Sequence, residues 1–328
     1  MATLVNLQHH KTFSKEFVKD YVITMRPYLL FVSGITGICG MSFIVDLSNL
    51  KALLIFLASF LSYGFGQALT DVFQTDTDSI SSPYRPLTQG IISKAQVLSI
   101  SIIGLTFCVA VFSIYNPINL LLGVISGLGL ATYTYFKKRF WAGPFYNSWI
   151  VGVLFLMSFL CGADINSIFS NGRLLLGLSA VFWGYANFVL IGYFKDVSAD
   201  RATGYNTLPV VFGRRIASII SNIFGLLTVI SAGFIFFSSR NQTLLKQKVF
   251  AFIIFIIGTI LMAFCQSLIH SVKSDDESST AINLSVHAFI VLLSSVTLLN
   301  KSEWITPIII FYLLFNLNIF LRPSKTQI

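Results

Sequence analysis

The feature that most constrains this chain is the recurrence of apolar stretches about 17 to 25 residues long, each long enough as a helix to cross a hydrocarbon layer of about 30 Å. Ten can be marked: Pro27–Val45, Ala52–Thr70, Ala95–Tyr115, Ile118–Phe136, Tyr146–Cys161, Leu174–Phe194, Ile216–Phe237, Val249–His270, Leu284–Leu299 and Trp304–Leu321. Of 328 residues 55% are hydrophobic and 11% charged, more apolar than a soluble core of this size requires. The pattern predicts an all-α integral membrane protein, a bundle of about nine to ten transmembrane helices. The first twenty-odd residues are polar, with no apolar core before Val22. No cleavable signal peptide is therefore expected, and the first span stays as an anchor. With no Pro/Ser-rich linker, residues 1–328 are expected to form a single integral domain.

Charge sets the orientation. With the N-terminus in the cytosol and the spans alternating, sixteen of the 22 lysines and arginines fall inside and six outside, as the positive-inside rule requires. The net charge of +9 is spread over membrane-flanking loops rather than gathered into a stripe, so anionic headgroups account for it and nucleic acid does not. Cys39, Cys108, Cys161 and Cys265 are far apart, without a CxxC pair, and read as packing residues.

The polar connections are unequal. Asn116–Pro117 is a minimal turn, whereas the inside segments Asp71–Lys94 and Lys195–Arg215 each exceed twenty residues, and long loops in a compact bundle usually carry function. A third inside segment, Ser271–Thr280, with Asp275, Asp276 and Glu277, reads as a solvated loop. The two long segments resemble each other: acidic residues at a helix end, then a basic residue and a proline. Four spans separate them, so both open on the same side. An internal repeat or shared chemistry would each explain the likeness.

In the second segment Asp196 and Asp200 are four apart, so if the preceding helix continues, both carboxylates leave one face. Two unpaired acids repel; Mg²⁺, which binds through a few carboxylates, waters and phosphates, would remove the repulsion. Pairing with Lys195 or Arg201 is the structural alternative. In the first segment Gln67, Asp71, Gln74 and Asp78 describe one helical stripe, with Asp76 beside it. An interfacial cap that snorkels to water is the alternative there. Arg85, Lys137, Lys138, Arg139, Lys195 and Arg201 all fall on the same side, and cations beside metal-binding acids suit a polyphosphate. The basic run at 137–139 also serves as a topology signal.

At these two segments the chain resembles the UbiA-type intramembrane prenyltransferase superfamily, over most of its length. That family's first motif is NDxxDxxxD followed by YRP; its second is DxxxD followed by Leu-Pro. Here the run Ser82-Pro83-Tyr84-Arg85-Pro86-Leu87 and the run from Lys195-Asp196 to Asp200-Arg201, then Gly204 and Thr207-Leu208-Pro209, match. The first motif departs: Thr70 stands at the family's Asn, Gln74 at its middle Asp, while Asp71 and Asp78 are kept. Gln67 and Asp76 are the two candidates to compensate.

The resemblance implies a UbiA-like bundle around a lipid-facing cavity, with an isoprenyl diphosphate held at the cytosolic mouth by Mg²⁺. It implies Asp71, Gln74, Asp78, Asp196 and Asp200 around the metal, the four aspartates being catalytic. Arg85, Lys137, Lys138, Lys195 and Arg201 would hold the diphosphate. Tyr133, Tyr135, Tyr146, Asn147, Tyr185 and Asn187 could line the cavity or bond helix to helix, and Arg26 could meet phosphate or anchor the interface.

Three functions compete. Magnesium-dependent transfer of the prenyl group to a hydrophobic, aromatic acceptor within the bilayer is the first. A terpene cyclase of the same superfamily, capturing the carbocation within its own chain, is the second, and the altered first motif speaks for it. In a transporter, acids would mark an ion path at mid-span; here they cluster at helix ends.

Overall fold

The computed structural model describes residues 9–238 and 245–322. Helix α1 (Lys15–Met25) begins where the Ser14 hydroxyl accepts the Phe17 N–H. It ends at Arg26, which sits in the left-handed region (φ 53°, ψ 72°). A turn of 3-10 helix at Pro27–Leu29 leads into α2 (Leu30–Met41), and the chain bends by 48° between α1 and this stretch. Ser48 caps α3 (Asn49–Val72), and short α4 (Thr75–Ser81) follows it directly. A capping box of Ser93 and Gln96 opens α5 (Lys94–Tyr115); Asn116 and Pro117 turn the chain into α6 (Ile118–Arg139).

Next come α7 (Gly143–Leu160), single-turn α8 (Ser167–Ser170), α9 (Gly172–Tyr193) and a second short helix, α10 (Val197–Ala202). Helix α11 (Leu208–Ser238) is broken at Gly213 (φ 79°, ψ 161°), a conformation open to glycine alone at little cost. Arg214 and Arg215 follow the break, which is why the apolar run starts only at Ile216. Helices α12 (Leu245–Ile269), α13 (Ser279–Asn300) and α14 (Ile305–Leu321) complete the chain.

Among the described residues nine helices are long and apolar enough to span a bilayer, and the bent α1–α2 pair makes ten. The chain is thus a multi-pass all-α membrane protein. Burial ranks the spans. In its most apolar stretch α13 is 83% enclosed by protein, against 17% for the α14 stretch, so α13 is an inner helix and α14 a peripheral one. On α5 and α6 the exposed large apolar side chains include Ile102, Ile103, Phe107, Leu120, Leu121 and Val124, the composition expected of a lipid-facing wall. Polar groups inside spans bond helix to helix: Tyr21 to Ser101 at 2.9 Å, Ser59 to Ser158 at 3.2 Å, and Ser221 to Asn187 at 2.7 Å. All four cysteines are free and buried, as read from their spacing.

Four connections gather at one end. Thr77 of α4 and Thr203 after α10 share a hydroxyl hydrogen bond of 2.8 Å, and Asn206 N–H donates to the Lys138 carbonyl at 3.2 Å. The segment expected to be a solvated loop also takes part. Asp275 accepts the Ser198 N–H at 2.9 Å and pairs with Arg214, tying the α12–α13 turn to α10.

Small residues let α2 approach α7. A Cβ on Gly40 would collide with the Phe155 carbonyl oxygen, a backbone atom that cannot swing aside. Gly40→Val is expected to destabilise the bundle by about 1–3 kcal/mol, measured as a lower melting temperature in detergent. An unchanged midpoint would show that the α2–α7 approach bears no load.

Candidate active site

Both acidic segments break the helix that precedes them. Gln74 has φ −112°, ψ 13° and Asp196 has φ −112°, ψ 11°, and each is the N-cap of the short helix that follows. The carbonyl of each accepts the N–H four residues on, Asp78 at 2.9 Å and Asp200 at 2.7 Å, and the N–H of each donates to the residue three before, at 3.1 Å in both cases. The expectation that α9 runs unbroken through Asp196 and Asp200 is therefore corrected: one helix ends and a new turn begins at Asp196. The continuous stripe from Gln67 to Asp78 is broken at Gln74 in the same way. The likeness of the two segments is one of geometry as well as composition.

Four carboxylates meet four cations here. Arg26 Nη2 lies 2.9 Å from both Asp71 oxygens, and the Gln67 amide donates to Oδ1 at 2.6 Å. Arg85 pairs with Asp78 at 2.8 Å and approaches Asp71 at 4.0 Å. Lys137, nearly enclosed, pairs with Asp200 at 3.4 Å and lies over the rings of Tyr193 and Tyr205 at 5.0 and 5.1 Å. Thr207 donates to the other oxygen of Asp200 at 3.0 Å. Lys195 stands between two clefts, one inside the bundle and one outside it.

Burial dominates the protonation equilibria outside the spans. It raises the Asp78 and Asp200 carboxyls, against the opposing pull of Arg85 and Lys137 respectively, while the Asp71 charge raises Asp78 further. Burial also acts on Asp196, but Lys195, Lys137 and Arg85 together outweigh it and hold that carboxyl below its usual value. For Lys195 burial and the nearby Arg85 push the ammonium down to about 7.

The inner cleft has a cavity of about 140 Å³, lined by Arg26, Gln67, Gln74, Asp78, Arg85, Lys137, Lys195 and Asp196 together with Tyr28, Tyr63, Tyr133, Tyr185 and Tyr193. Tyr63, Gln67, Thr70, Asn147 and Tyr185 also line a second, mainly apolar cavity of about 110 Å³ between α3, α5, α6 and α7. A charged mouth thus continues into an apolar chamber ending at Cys108, Phe112, Leu154 and Met157.

The residues singled out in the sequence divide in three. Gln74, Asp78, Arg85, Lys137, Lys195 and Asp196 line the mouth; Asp71 and Asp200 lie behind it, each holding a cation in place. Lys138 and Arg201 lie outside: Lys138 is half-exposed and paired with Asp76 at 3.0 Å, and Arg201 is exposed on the outer cleft. Of the two candidates to compensate, Gln67 is inside and Asp76 faces out, where it also accepts from the Tyr205 hydroxyl. Tyr133, Asn147 and Tyr185 line the mouth, while Tyr135 is exposed over Arg139, Tyr146 bonds to Thr132, and Asn187 bonds to Ser221. Sequence reasoning missed Tyr28, Tyr63 and Tyr193, and it gave Thr207 no role beyond its place in the second motif. Tyr63 lies one helical turn before Gln67, and Thr207 lies seven residues after Asp200 as Arg85 lies seven after Asp78. Both spacings were visible.

Among the charged side chains here three buried atoms have no hydrogen-bond partner: Asp200 Oδ1, which faces the Lys137 ammonium at 3.4 Å, and Asp196 Oδ1 and Arg85 Nε, which form no ion pair of their own. Of the last two, one requires a cation and the other an anion, and a metal–diphosphate presents both. Among the described residues no three acidic, histidine or cysteine side chains converge on one point. A cation held by one or two carboxylates plus phosphate oxygens and water matches the coordination of Mg²⁺, so this donor set fits that ion.

Removing one partner of a buried pair strands the other charge. Lys137→Met is expected to cost about 3–5 kcal/mol by stranding Asp200. Adding Asp200→Asn to it should restore most of the melting temperature. Equal melting of the single and double variants would show that the pair does not set the lysine's place.

Comparison with known proteins is consistent with this geometry. The model of the UbiA prenyltransferase family matches residues 32–293. Digeranylgeranylglyceryl phosphate synthase of Thermococcus sibiricus is 31% identical over 222 residues, 66% of this chain and 76% of that protein. The corresponding synthase of Thermococcus kodakarensis is 29% identical over 217 residues, 65% of this chain and 76% of that protein. A UbiA homolog from Aeropyrum pernix superimposes with TM-score 0.69 at 16% identity, covering 82% of this chain and 97% of its own. One from Archaeoglobus fulgidus, bound to DMAPP and Mg²⁺, superimposes with TM-score 0.62 at 18% identity, covering 84% and 99%. The chain belongs to the UbiA prenyltransferase family and is a membrane-embedded prenyltransferase.

Proposed function

We propose that this chain transfers a prenyl group from a Mg²⁺-bound isoprenyl diphosphate to a hydrophobic acceptor within the bilayer. The observation that carries the reading is the pairing of two unsatisfied buried atoms of opposite need, Asp196 Oδ1 and Arg85 Nε, at the mouth of an apolar chamber. Asp196 would hold metal, with Gln74 and the Arg85-paired Asp78 beside it, and Asp71 and Asp200 would position Arg26 and Lys137. Bound Mg²⁺ would supply charge to the diphosphate as its allylic C–O bond breaks and the electron pair leaves with oxygen. Arg85, Lys137 and Lys195 would hold the phosphate oxygens, the first two fixed ahead of the reaction by Asp78 and Asp200. The isoprenoid tail would occupy the chamber between α3, α5, α6 and α7, whose walls keep water from the cationic carbon. Tyr63 and Tyr185 line both cavities where the mouth meets the chamber, and Tyr133 lines the mouth. The Lys/Arg bias supports placing the N-terminus and both aspartate-bearing ends on the cytosolic side.

The acceptor is read from the sequence as aromatic. A second class, an isoprenoid ether of glycerol phosphate, is favoured by relatives named for making digeranylgeranylglyceryl phosphate.

Membranes bearing the chain, given labelled farnesyl or geranylgeranyl diphosphate, Mg²⁺ and acceptors of both classes, are expected to form a prenylated adduct. Asp196→Asn should lower turnover at least about a hundredfold. Full turnover in that variant overturns the reading, and a cyclic terpene formed from the donor alone would assign the cyclase chemistry instead.

Lys195 offers an independent check. With its ammonium near 7, the side chain is mostly neutral at pH 7.5, and an arriving polyanion favours the charged form. Diphosphate binding should then be accompanied by net proton uptake, read by titration calorimetry in buffers of different ionisation enthalpy. Lys195→Met should abolish the uptake; uptake retained in that variant would locate the proton elsewhere.

A further inference from the structure

The two halves of the mouth are built alike in backbone and differ in charge. Gln74 and Asp196 have the same dihedral angles, cap short helices in the same way, and line the same cavity. Gln74 thus occupies in the first half the place that Asp196 occupies in the second, with a carboxamide where the second half has a carboxylate. The other acids of the first half are already engaged: both Asp71 oxygens by Arg26, with Gln67 on one of them, and Asp78 by Arg85. In the second half Asp196 Oδ1 is buried without a partner.

Between the halves lies a fixed cation. Lys137 Nζ is 3.4 Å from Asp200 Oδ1 and 3.5 Å from the Gln74 amide oxygen, so it bridges the second acid of one half and the N-cap side chain of the other. The lysine is 3% exposed, held on α6, and cannot leave without stranding Asp200. A carboxylate at position 74 would put two anions beside this one ammonium and call for a second positive ion. A carboxamide supplies an acceptor oxygen without that charge, so one ammonium suffices.

We propose that this chain binds its diphosphate with a single divalent ion, anchored at Asp196, and that Lys137, kept in place by the neutral Gln74, substitutes for a second. The proposal rests on the metal–diphosphate reading above but does not follow from it, since that reading is indifferent to the number of ions.

The test counts ions. Equilibrium dialysis of the purified full chain in detergent against Mn²⁺ and methylene diphosphonate, with electron paramagnetic resonance to read bound Mn²⁺, should give one ion per chain. Gln74→Asp should raise the count to two, and Asp196→Asn should remove the ion that the natural chain binds. Two ions on the natural chain overturn the proposal while leaving the diphosphate reading intact, and a count that stays at one in Gln74→Asp overturns the role of the amide. No diphosphonate-dependent Mn²⁺ uptake by the natural chain overturns the diphosphate reading and the proposal together. Because the readout is bound metal, a loss of turnover cannot imitate any of these outcomes.

Discussion

Charge placed among apolar spans must be neutralised where it stands, and the ion pairs of Asp71, Asp78 and Asp200 with Arg26, Arg85 and Lys137 meet that requirement for three of the four acids. No element could be moved alone. Arg26 comes from the bend between α1 and α2, Lys137 from the last turn of α6, and Arg85 and Lys195 from the two long segments. Four parts of the chain are joined at one end of the bundle by ion pairs, and the short helices α4 and α10 exist to present their ends of those pairs. Arg26 also holds a backbone conformation that residues other than glycine, asparagine and aspartate seldom adopt. Its double contact with Asp71 offsets that cost.

Much of this was legible in the sequence because lipid imposes a simple rule on helix length. The ten apolar stretches correspond to the nine long helices and the bent pair, and an even number of spans between the acidic segments brought both to one end. The helix breaks at Gln74 and Asp196 were not legible. Neither contains glycine or proline, and both arise from tertiary contacts such as the Thr77–Thr203 bond and the cap that Asp275 gives Ser198. Partner choice was hidden for the same reason. Lys137 and Lys138 are neighbours in sequence, yet one turns inward to Asp200 and the other outward to Asp76, because adjacent residues on a helix point about 100° apart.

The site separates two tasks that the sequence presented as one list. Asp71 and Asp200 set the positions of cations, whereas Asp78 and Asp196 face the cavity. Such a division lets the mouth keep its shape while its charge is altered one residue at a time. Gln74 and Asp196, an amide and an acid on matching backbone, are an instance.

The enclosure of α13 bears on how the protein is made. It leaves the ribosome after α2, α9 and α12, against which it packs, yet its most apolar stretch is 83% covered by other helices. Earlier spans must therefore enter the bilayer around a gap that stays filled by lipid or by the insertion machinery until α13 arrives. Closure of the bundle is a late event in biogenesis, and a chain stalled before residue 279 would present to the membrane-quality-control apparatus the faces of α2, α9 and α12 that α13 normally hides.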